Sequence, residues 1–109
     1  MLKTLMLPRE RILAGREAGR SIREELNLNE LDFDNTESQI CILVSSKTWY
    51  INTSFFIGCF AESVRRLGRT LFEQKYRFYC DDDCISKMID NNIDRCEKLV
   101  NYEKQIGAW

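Results

Sequence analysis

The sequence predicts a single α/β domain with a small, mainly parallel or mixed sheet of three to four strands and three to four helices. Apolar runs of strand length alternate with amphipathic helical segments in the order β-α-β-(β)-α-β-α. Strands that alternate with helices are typical of a parallel sheet with right-handed crossovers. The 109 residues are enough to bury one core and leave little room for a second, so residues 1–109 are expected to form one domain.

A short strand and a helix are predicted first. Residues 2–7 are apolar enough for a strand, which Pro8 would end because proline lacks a backbone N–H donor. From about residue 9 to residue 26, apolar side chains recur every four positions, which is the spacing of one helix face. They are Ala14, Ala18, Ile22 and Leu26. This stripe is expected to face the core.

Glycines and arginines occupy other positions of the same helix. Gly15 and Gly19 each cost about 1 kcal/mol relative to alanine in a helix interior, so they indicate close backbone packing or a helix that begins later. Arg16, Arg20 and Arg23 lie on another face, beside acidic residues. We expect these three arginines to be solvated and paired with neighbouring glutamates.

A buried central strand follows an acidic connection. Residues 27–38 are polar and acidic with three apolar anchors, which indicates a loop. Residues 39–45 contain the run Ile-Cys-Ile-Leu-Val, which is apolar on both alternating faces. Such a run is typical of a strand covered by helices on both sides, so this strand is predicted at the centre of the sheet.

The second helix is predicted at residues 53–67. Residues 46–48 would form a turn, and residues 49–51 either a short strand or an extended lead-in. The apolar positions of the helix are Phe55, Phe56, Cys59, Phe60, Val64 and Leu67. Gly68 is placed to end it, since glycine favours the conformation that closes a helix.

One more strand and one more helix complete the predicted fold. Residues 72–80 alternate between a more apolar and a wetter face, which predicts a strand near the sheet edge. Residues 81–83, all aspartates, supply the cap and first-turn acids of a third helix with apolar positions Ile85, Met88 and Ile89. Asn91 and Asn92 are expected to kink or break this helix, before a weaker helical extension over residues 93–109.

Composition restricts the classes of function. The net charge of −1, with both signs interspersed, provides no basic surface for nucleic acid. No apolar run approaches the roughly 20 residues of a membrane span, and the N-terminus lacks the features of a signal peptide. Histidine is absent, which removes the commonest general base and the favoured nitrogen ligand of zinc. A cytoplasmic protein that is not an enzyme, with no metal, cofactor or membrane partner, is therefore expected.

The five cysteines do not form a disulfide or zinc-binding pattern. Their odd count and the absence of C-x-x-C spacing indicate reduced thiols. Four of them fall at apolar positions and are expected to be buried: Cys41, Cys59, Cys80 and Cys96. Cys84, near a helix start, is the thiol most exposed to reaction.

Two helix starts contain the candidate sites. Asn52, Thr53 and Ser54 precede Phe55 at the start of the second helix. Unpaired backbone N–H groups and the helix dipole there favour a cap, an anion or a phosphate. The secondary candidate lies at the C-terminal end of the last strand, where α/β sheets place ligands, and consists of Asp81, Asp82, Asp83 and Cys84.

Three segments resemble the STAS-like family of small bacterial proteins. Residues 19–26, Gly-Arg-Ser-Ile-Arg-Glu-Glu-Leu, are similar to its first helix, and residues 40–45 to its central strand. Residues 53–65 are similar to its S-S-F-x-x-x-x-F-x-x-x-V-R helix, the most specific of the three motifs. The resemblance covers about residues 15–92 and implies the fold of the sulfate-transporter and anti-sigma-antagonist (STAS) domain.

The resemblance also implies a function. In anti-sigma antagonists of related fold, a partner ATPase of the histidine-kinase type phosphorylates a serine at the start of the corresponding helix, and the phosphate breaks the complex. The resemblance places Thr53 or Ser54 at the acceptor position, with Asn52 and Phe55 on either side. We therefore expect a regulatory module that acts through a protein partner; its oligomeric state is left open. The alternatives are a plain helix cap, a small-anion or nucleotide site at the same helix start, and a small enzyme that uses residues 81–84.

Overall fold

Strands and helices alternate along the chain in the computed structural model, which describes residues 2–34 and 39–107. These residues form five strands and four helices: β1 (Leu2–Met6), β2 (Ile12–Leu13), α1 (Arg16–Glu25), α2 (Leu28–Leu31), β3 (Gln39–Leu43), β4 (Tyr50–Ile51), α3 (Thr53–Lys75), β5 (Tyr76–Tyr79) and α4 (Asp83–Gln105). The predicted α/β class is confirmed. Parts of two predicted segments, residues 35–38 and 108–109, lie outside the described residues.

The strands form two small parallel sheets. β1, β3 and β5 make a three-stranded sheet in the order β1-β3-β5, so the predicted central and edge positions of β3 and β5 are confirmed. β2 and β4 pair with each other in a second sheet of two strands. The sequence pattern did not indicate this pairing, because two-residue strands are too short to show alternation.

One face of the three-stranded sheet packs against α3. Its side chains, termed the inner face, are Leu5, Ile40, Ile42, Tyr76 and Phe78. Phe60 of α3 lies over Phe78, with ring centroids 5.1 Å apart, and Phe72 lies 5.3 Å from Tyr76. α1 and α4 both pack against α3, and α4 also contacts β4 and β5. The core therefore extends from the inner face of the sheet across α3 to α1, α2 and α4.

The opposite face of this sheet was predicted to be covered by helices, and that prediction is wrong. Its side chains, termed the outer face, are Thr4, Met6, Cys41, Leu43, Arg77 and Tyr79. Cys41 and Leu43 of the central strand are half-buried, whereas Ile40 and Ile42 on the inner face are fully buried. Helices therefore cover the apolar run of β3 on the inner face only.

The first predicted helix begins later than its spacing suggested. Residues 12–13 form β2 instead, because the backbone of Arg11 accepts hydrogen bonds from the amides of Trp49 and Tyr50. Gly15 precedes α1 with φ of 94°, a conformation that glycine adopts at little cost. The predicted stripe is correct in part: Ala14 and Ala18 are exposed, whereas Ile22 and Leu26 pack against the core.

The buried face of α1 contains Gly19 and Arg23. A Cβ atom on Gly19 would lie 2.2 Å from the carbonyl oxygen of Phe55 in α3. The close packing expected from this glycine is therefore confirmed, and it decides which face of α1 meets α3. The arginine on that face, Arg23, is 5% exposed, so the prediction that it is solvated is wrong.

A single helical turn lies within the predicted loop. α2 places Leu28 and Leu31 in the core, while Phe33 is exposed. Two of the three expected apolar anchors are therefore buried, and the third is not.

α3 is longer than predicted and contains a break. Gly68 has φ of 78°, as expected for a glycine that ends a helix, but residues 69–75 continue as a further helical section. Phe72 in that section is fully buried against the aromatic core. The predicted strand over residues 72–80 is consequently reduced to Tyr76–Tyr79.

α4 runs without interruption through the two asparagines that were expected to break it. Asp82 caps its N-terminus, since the Asp82 carboxylate accepts a hydrogen bond from the amide of Cys84 at 2.7 Å, as predicted for this acidic triplet. Asn92 is buried and uses its side chain for hydrogen bonds to the start of α3 and the end of β4. The apolar side chains that α4 buries are Ile85, Ile89, Ile93, Cys96 and Val100.

Candidate functional site

The start of α3 is a capped helix N-terminus. Asn52 Oδ1 accepts a hydrogen bond from the amide of Ser54 at 2.7 Å, and the amide of Asn52 donates to the Leu13 carbonyl at 2.8 Å. Phe55 is fully buried in the core. The cap side chain and the buried phenylalanine fix where the helix begins. Of the four predicted residues, these two are structural.

The two hydroxyls at this helix start have different surroundings. Thr53 Oγ1 donates to Asn92 Oδ1 at 2.8 Å, and Asn92 Nδ2 donates to the Ile51 carbonyl at 3.2 Å. Thr53 therefore ties α3 to α4 and β4. Ser54 is exposed, and its hydroxyl makes no hydrogen bond within residues 2–34 and 39–107. Ser54 is the hydroxyl of the pair that a second molecule can reach.

An exposed apolar patch precedes this helix start. Ile12 of β2 and Tyr50 of β4 are paired in register and are 52% and 44% exposed, while Trp49 beside them is 61% exposed. The other side of the same small sheet is buried through Leu13 and Ile51. We term Ile12, Trp49 and Tyr50 the aromatic patch. The sequence did not indicate it, because adjacent apolar residues in a short strand do not reveal which of them lies outward.

Three cations lie on the loops that precede the aromatic patch along the chain. Two loops hold them in place: Thr48 Oγ1 donates to the Glu10 carbonyl at 2.6 Å, and the Trp49 amide donates to the Arg11 carbonyl at 2.9 Å. Three side chains on these loops are exposed and form no ion pair within the part of the chain that the structure describes; they are Arg9, Arg11 and Lys47. We term them the cationic rim. Glu10 is the acidic side chain among them.

The secondary candidate lies at a different helix start. Asp81, Asp82, Asp83 and Cys84 are all exposed. Asp81 lines a cavity of about 440 Å³ with Ser45 and Ser46, whereas Thr53 lines another cavity with Asn92, so the two candidate segments do not meet. Within residues 2–34 and 39–107, no three carboxylates or thiols converge closely enough to hold a metal ion.

A buried carboxylate, that of Asp32, forms the most connected polar cluster of the described residues. Its Oδ2 accepts from Arg23 Nη2 at 2.6 Å and from Arg66 Nη1 at 3.3 Å, and its Oδ1 accepts from Ser63 Oγ at 2.7 Å and Tyr76 Oη at 2.5 Å. The carboxylate therefore has four donors from α1, α3 and β5, which satisfies a charge that burial would otherwise make costly.

The guanidinium of Arg23 is equally well satisfied. Its Nε donates to Asn29 Oδ1 at 2.9 Å, and its Nη1 donates to the Cys59 carbonyl at 2.8 Å and to Ser63 Oγ at 2.9 Å. Burial and the hydrogen bond to Asp32 raise the pKa of Tyr76 far above its ordinary value, so its hydroxyl remains a donor. The cluster is saturated by its own members, and we assign it to structure rather than to ligand binding.

The five thiols differ in how deeply they are buried. Cys59 and Cys96 are buried, Cys41 and Cys80 are partly buried, and Cys84 is exposed. The expectation of four buried cysteines is therefore confirmed for two. Burial raises the pKa of both Cys59 and Cys96 to about 12, which removes the thiolate that reacts with electrophiles.

Alkylation of the native protein at mildly alkaline pH is expected to modify Cys84 first and to leave Cys59 and Cys96 unmodified until the chain is unfolded. The reason is that reaction requires both exposure and thiolate formation. Peptide mapping by mass spectrometry measures the order. In Cys84→Ser the fastest phase should disappear; a fast phase that persists would contradict the assignment.

No described helix combines the length and the apolarity that a membrane crossing requires. Comparison of the chain with protein-family models, curated proteins and solved structures found no significant match.

Proposed function

We propose that the chain is a STAS-like regulatory module that acts through a protein partner and is switched by phosphorylation of Ser54. The resemblance of residues 53–65 to the family's second helix supports the assignment to this class. The observation that carries the switch is the exposed hydroxyl of Ser54 in the first turn of α3. Thr53 is the weaker acceptor because its hydroxyl is engaged with Asn92.

The switch is a simple phosphoryl transfer from ATP bound to a partner ATPase of the histidine-kinase type. Ser54 Oγ forms a bond to the γ-phosphorus, the bond from that phosphorus to the bridging oxygen of ADP breaks, and the hydroxyl proton passes to a base of the kinase. The product has a charge of about −1.5 to −2 at the helix start. The helix dipole stabilises this charge, so the phosphorylated state does not require α3 to unfold.

The aromatic patch and the cationic rim supply the docking surface. Exposed tryptophan and tyrosine are the side chains that most often dominate binding energy in protein interfaces. The cationic rim on the loops that precede them favours a partner whose surface is acidic. A phosphate on Ser54, which follows Tyr50 by four residues, would repel that acidic surface. In this proposal the aromatic patch and the cationic rim bind the partner, and the phosphate on Ser54 releases it.

The proposal is tested with a purified ATPase of the histidine-kinase type from the source organism. Incubation with this ATPase and ATP is expected to add one phosphate to the wild-type chain, as measured by intact mass, and none to Ser54→Ala. Ser21→Ala, which replaces an exposed serine of α1, is the matched control and should be phosphorylated normally. Absence of phosphate on the wild type would contradict the switch.

A binding measurement with the same ATPase separates docking from phosphorylation. Trp49→Ala is expected to weaken binding by about thirtyfold or more, as for a central interface tryptophan, whereas Tyr102→Ala, which removes an exposed side chain of α4, should bind normally. Equal affinities for the two variants would contradict the docking surface. If the chain gains no phosphate but nucleotides raise its melting temperature, the non-covalent anion site replaces the switch.

A further inference from the structure

The outer face of the three-stranded sheet lacks a covering layer among the described residues. Sheets in which all strands are parallel almost always have both faces covered. Here α3 covers the inner face, and the outward side chains of β3, Cys41 and Leu43, remain half-buried. β3 therefore has the composition of a strand buried on both faces, although the described part of the chain covers only one of them.

A row of three apolar side chains crosses this face. The strand registers place Met6 beside Leu43 and Leu43 beside Tyr79. Met6 is 37% exposed and Tyr79 is 52% exposed. Because adjacent strands lie about 4.8 Å apart, the row extends about 10 Å across the sheet. We term these three side chains the apolar row.

Two opposite charges lie on either side of the row. Arg77 precedes Tyr79 by two residues, and Asp81 follows Tyr79 by two residues. The alternation of β5 places Arg77 on the outer face, and Asp81 lines one cavity of about 580 Å³ together with Arg9, Met6, Leu43 and Tyr79. Neither Arg77 nor Asp81 forms an ion pair within residues 2–34 and 39–107.

We propose that the outer face is the interface of a homodimer whose two-fold axis lies along the apolar row. Rotation about that axis places the row of one copy against the row of the other copy. It also makes the strands of the two copies run in opposite directions. Arg77 of one copy then faces Asp81 of the other, and the same pair forms again on the opposite side of the axis. Because this rotation pairs Arg77 with Asp81 twice, an isologous contact with a second copy of this chain satisfies both charges.

The homodimer accounts for both the uncovered outer face and the two charges beside the apolar row. Two outer faces stacked at the usual distance of about 10 Å would give each parallel sheet its second cover. The apolar row would be removed from water, and Arg77 and Asp81 would pair across the interface at its rim. This inference does not depend on the switch, because Ser54 lies at the start of α3 on the other side of the sheet's core layer.

Sedimentation equilibrium of the full chain tests the homodimer. The wild type is expected to show twice the chain mass at micromolar concentration. Tyr79→Lys should raise the dissociation constant by about thirtyfold or more, because it places a charge on the axis. Tyr102→Lys, which changes an exposed tyrosine of α4 away from this face, is the matched control and should remain dimeric.

Charge exchange tests the orientation. Arg77→Asp and Asp81→Arg are each expected to weaken the dimer roughly tenfold or more, since each places like charges opposite one another. The double variant Arg77→Asp/Asp81→Arg should restore the wild-type dissociation constant. A monomeric wild type would overturn the proposal, as would a dimer that Tyr79→Lys leaves intact. Failure of the double variant to recover would overturn the two-fold arrangement.

Discussion

Asp32→Ala is expected to lower the free energy of unfolding by about 3–5 kcal/mol, the cost of breaking a buried ion pair from one side. The substitution leaves the buried guanidinium of Arg23 as an uncompensated charge. It also removes the acceptor of the Ser63 and Tyr76 hydroxyls. The effect is large because all of these groups stay buried when their partner is lost.

Urea unfolding followed by circular dichroism measures this loss. Asp90→Ala, which replaces an exposed aspartate of α4, is the matched control and should change stability by no more than about 0.5 kcal/mol. Tyr76→Phe removes a single donor and should cost about 1 kcal/mol. If Asp32→Ala lowers the free energy of unfolding as little as Asp90→Ala does, water reaches Arg23 and the cluster is not buried as described.

Gly19→Ala is expected to destabilise the fold by about 3 kcal/mol or more, at the upper end of overpacking effects. Its new Cβ atom would lie 2.2 Å from the Phe55 carbonyl oxygen and 2.9 Å from the amide nitrogen of Cys59. Both are backbone atoms of α3, so no side chain can rotate to make room. The two helices would have to separate along their whole contact.

Gly107→Ala is the control that separates packing from backbone conformation. Gly107 has φ of 70° and open space where a methyl group would be added, so alanine there should cost only the conformational penalty of about 1–2 kcal/mol. Gly58→Ala should resemble Gly19→Ala, because its Cβ atom would lie 2.2 Å from the Arg16 carbonyl oxygen. Thermal unfolding ranks the three variants; a Gly19→Ala protein as stable as Gly107→Ala would contradict close contact between α1 and α3.

Strong local signals in the sequence predicted much of the fold correctly. The apolar run of β3, the cap at Asn52 and the acidic start of α4 all depend on neighbouring residues, and each lies where it was expected. The predicted start of α1 is too early because residues 12–13 pair with β4 instead, and part of its apolar stripe competes with a tertiary requirement. Gly19 must face α3, and that contact overrides the alanine stripe.

The polar features were harder to predict because their partners are distant in sequence. Asp32 lies in an acidic stretch with Glu30 and Asp34, and nothing local distinguishes it from them. Its hydroxyl partners are 31 and 44 residues away. Likewise Asn92 has the local character of a helix breaker, although its side chain holds Thr53 across 39 residues.

The candidate site was predicted in part. Asn52 to Phe55 do mark a helix start, but only the structure distinguishes the engaged hydroxyl of Thr53 from the exposed one of Ser54. The aromatic patch depends on the pairing of β2 with β4, which two-residue strands do not reveal. A tryptophan and a tyrosine just before a helix cap were the available signal.

The saturated cluster around Asp32 has a consequence for how this chain can change over time. Arg23, Ser63 and Tyr76 each bind the same carboxylate, so a chain that loses Asp32 leaves three buried donors without that acceptor at once. An apolar set could serve the same space if all positions changed together. Among descendants of this sequence, we therefore expect Asp32 to be replaced only where Arg23 and its hydroxyl partners have changed as well.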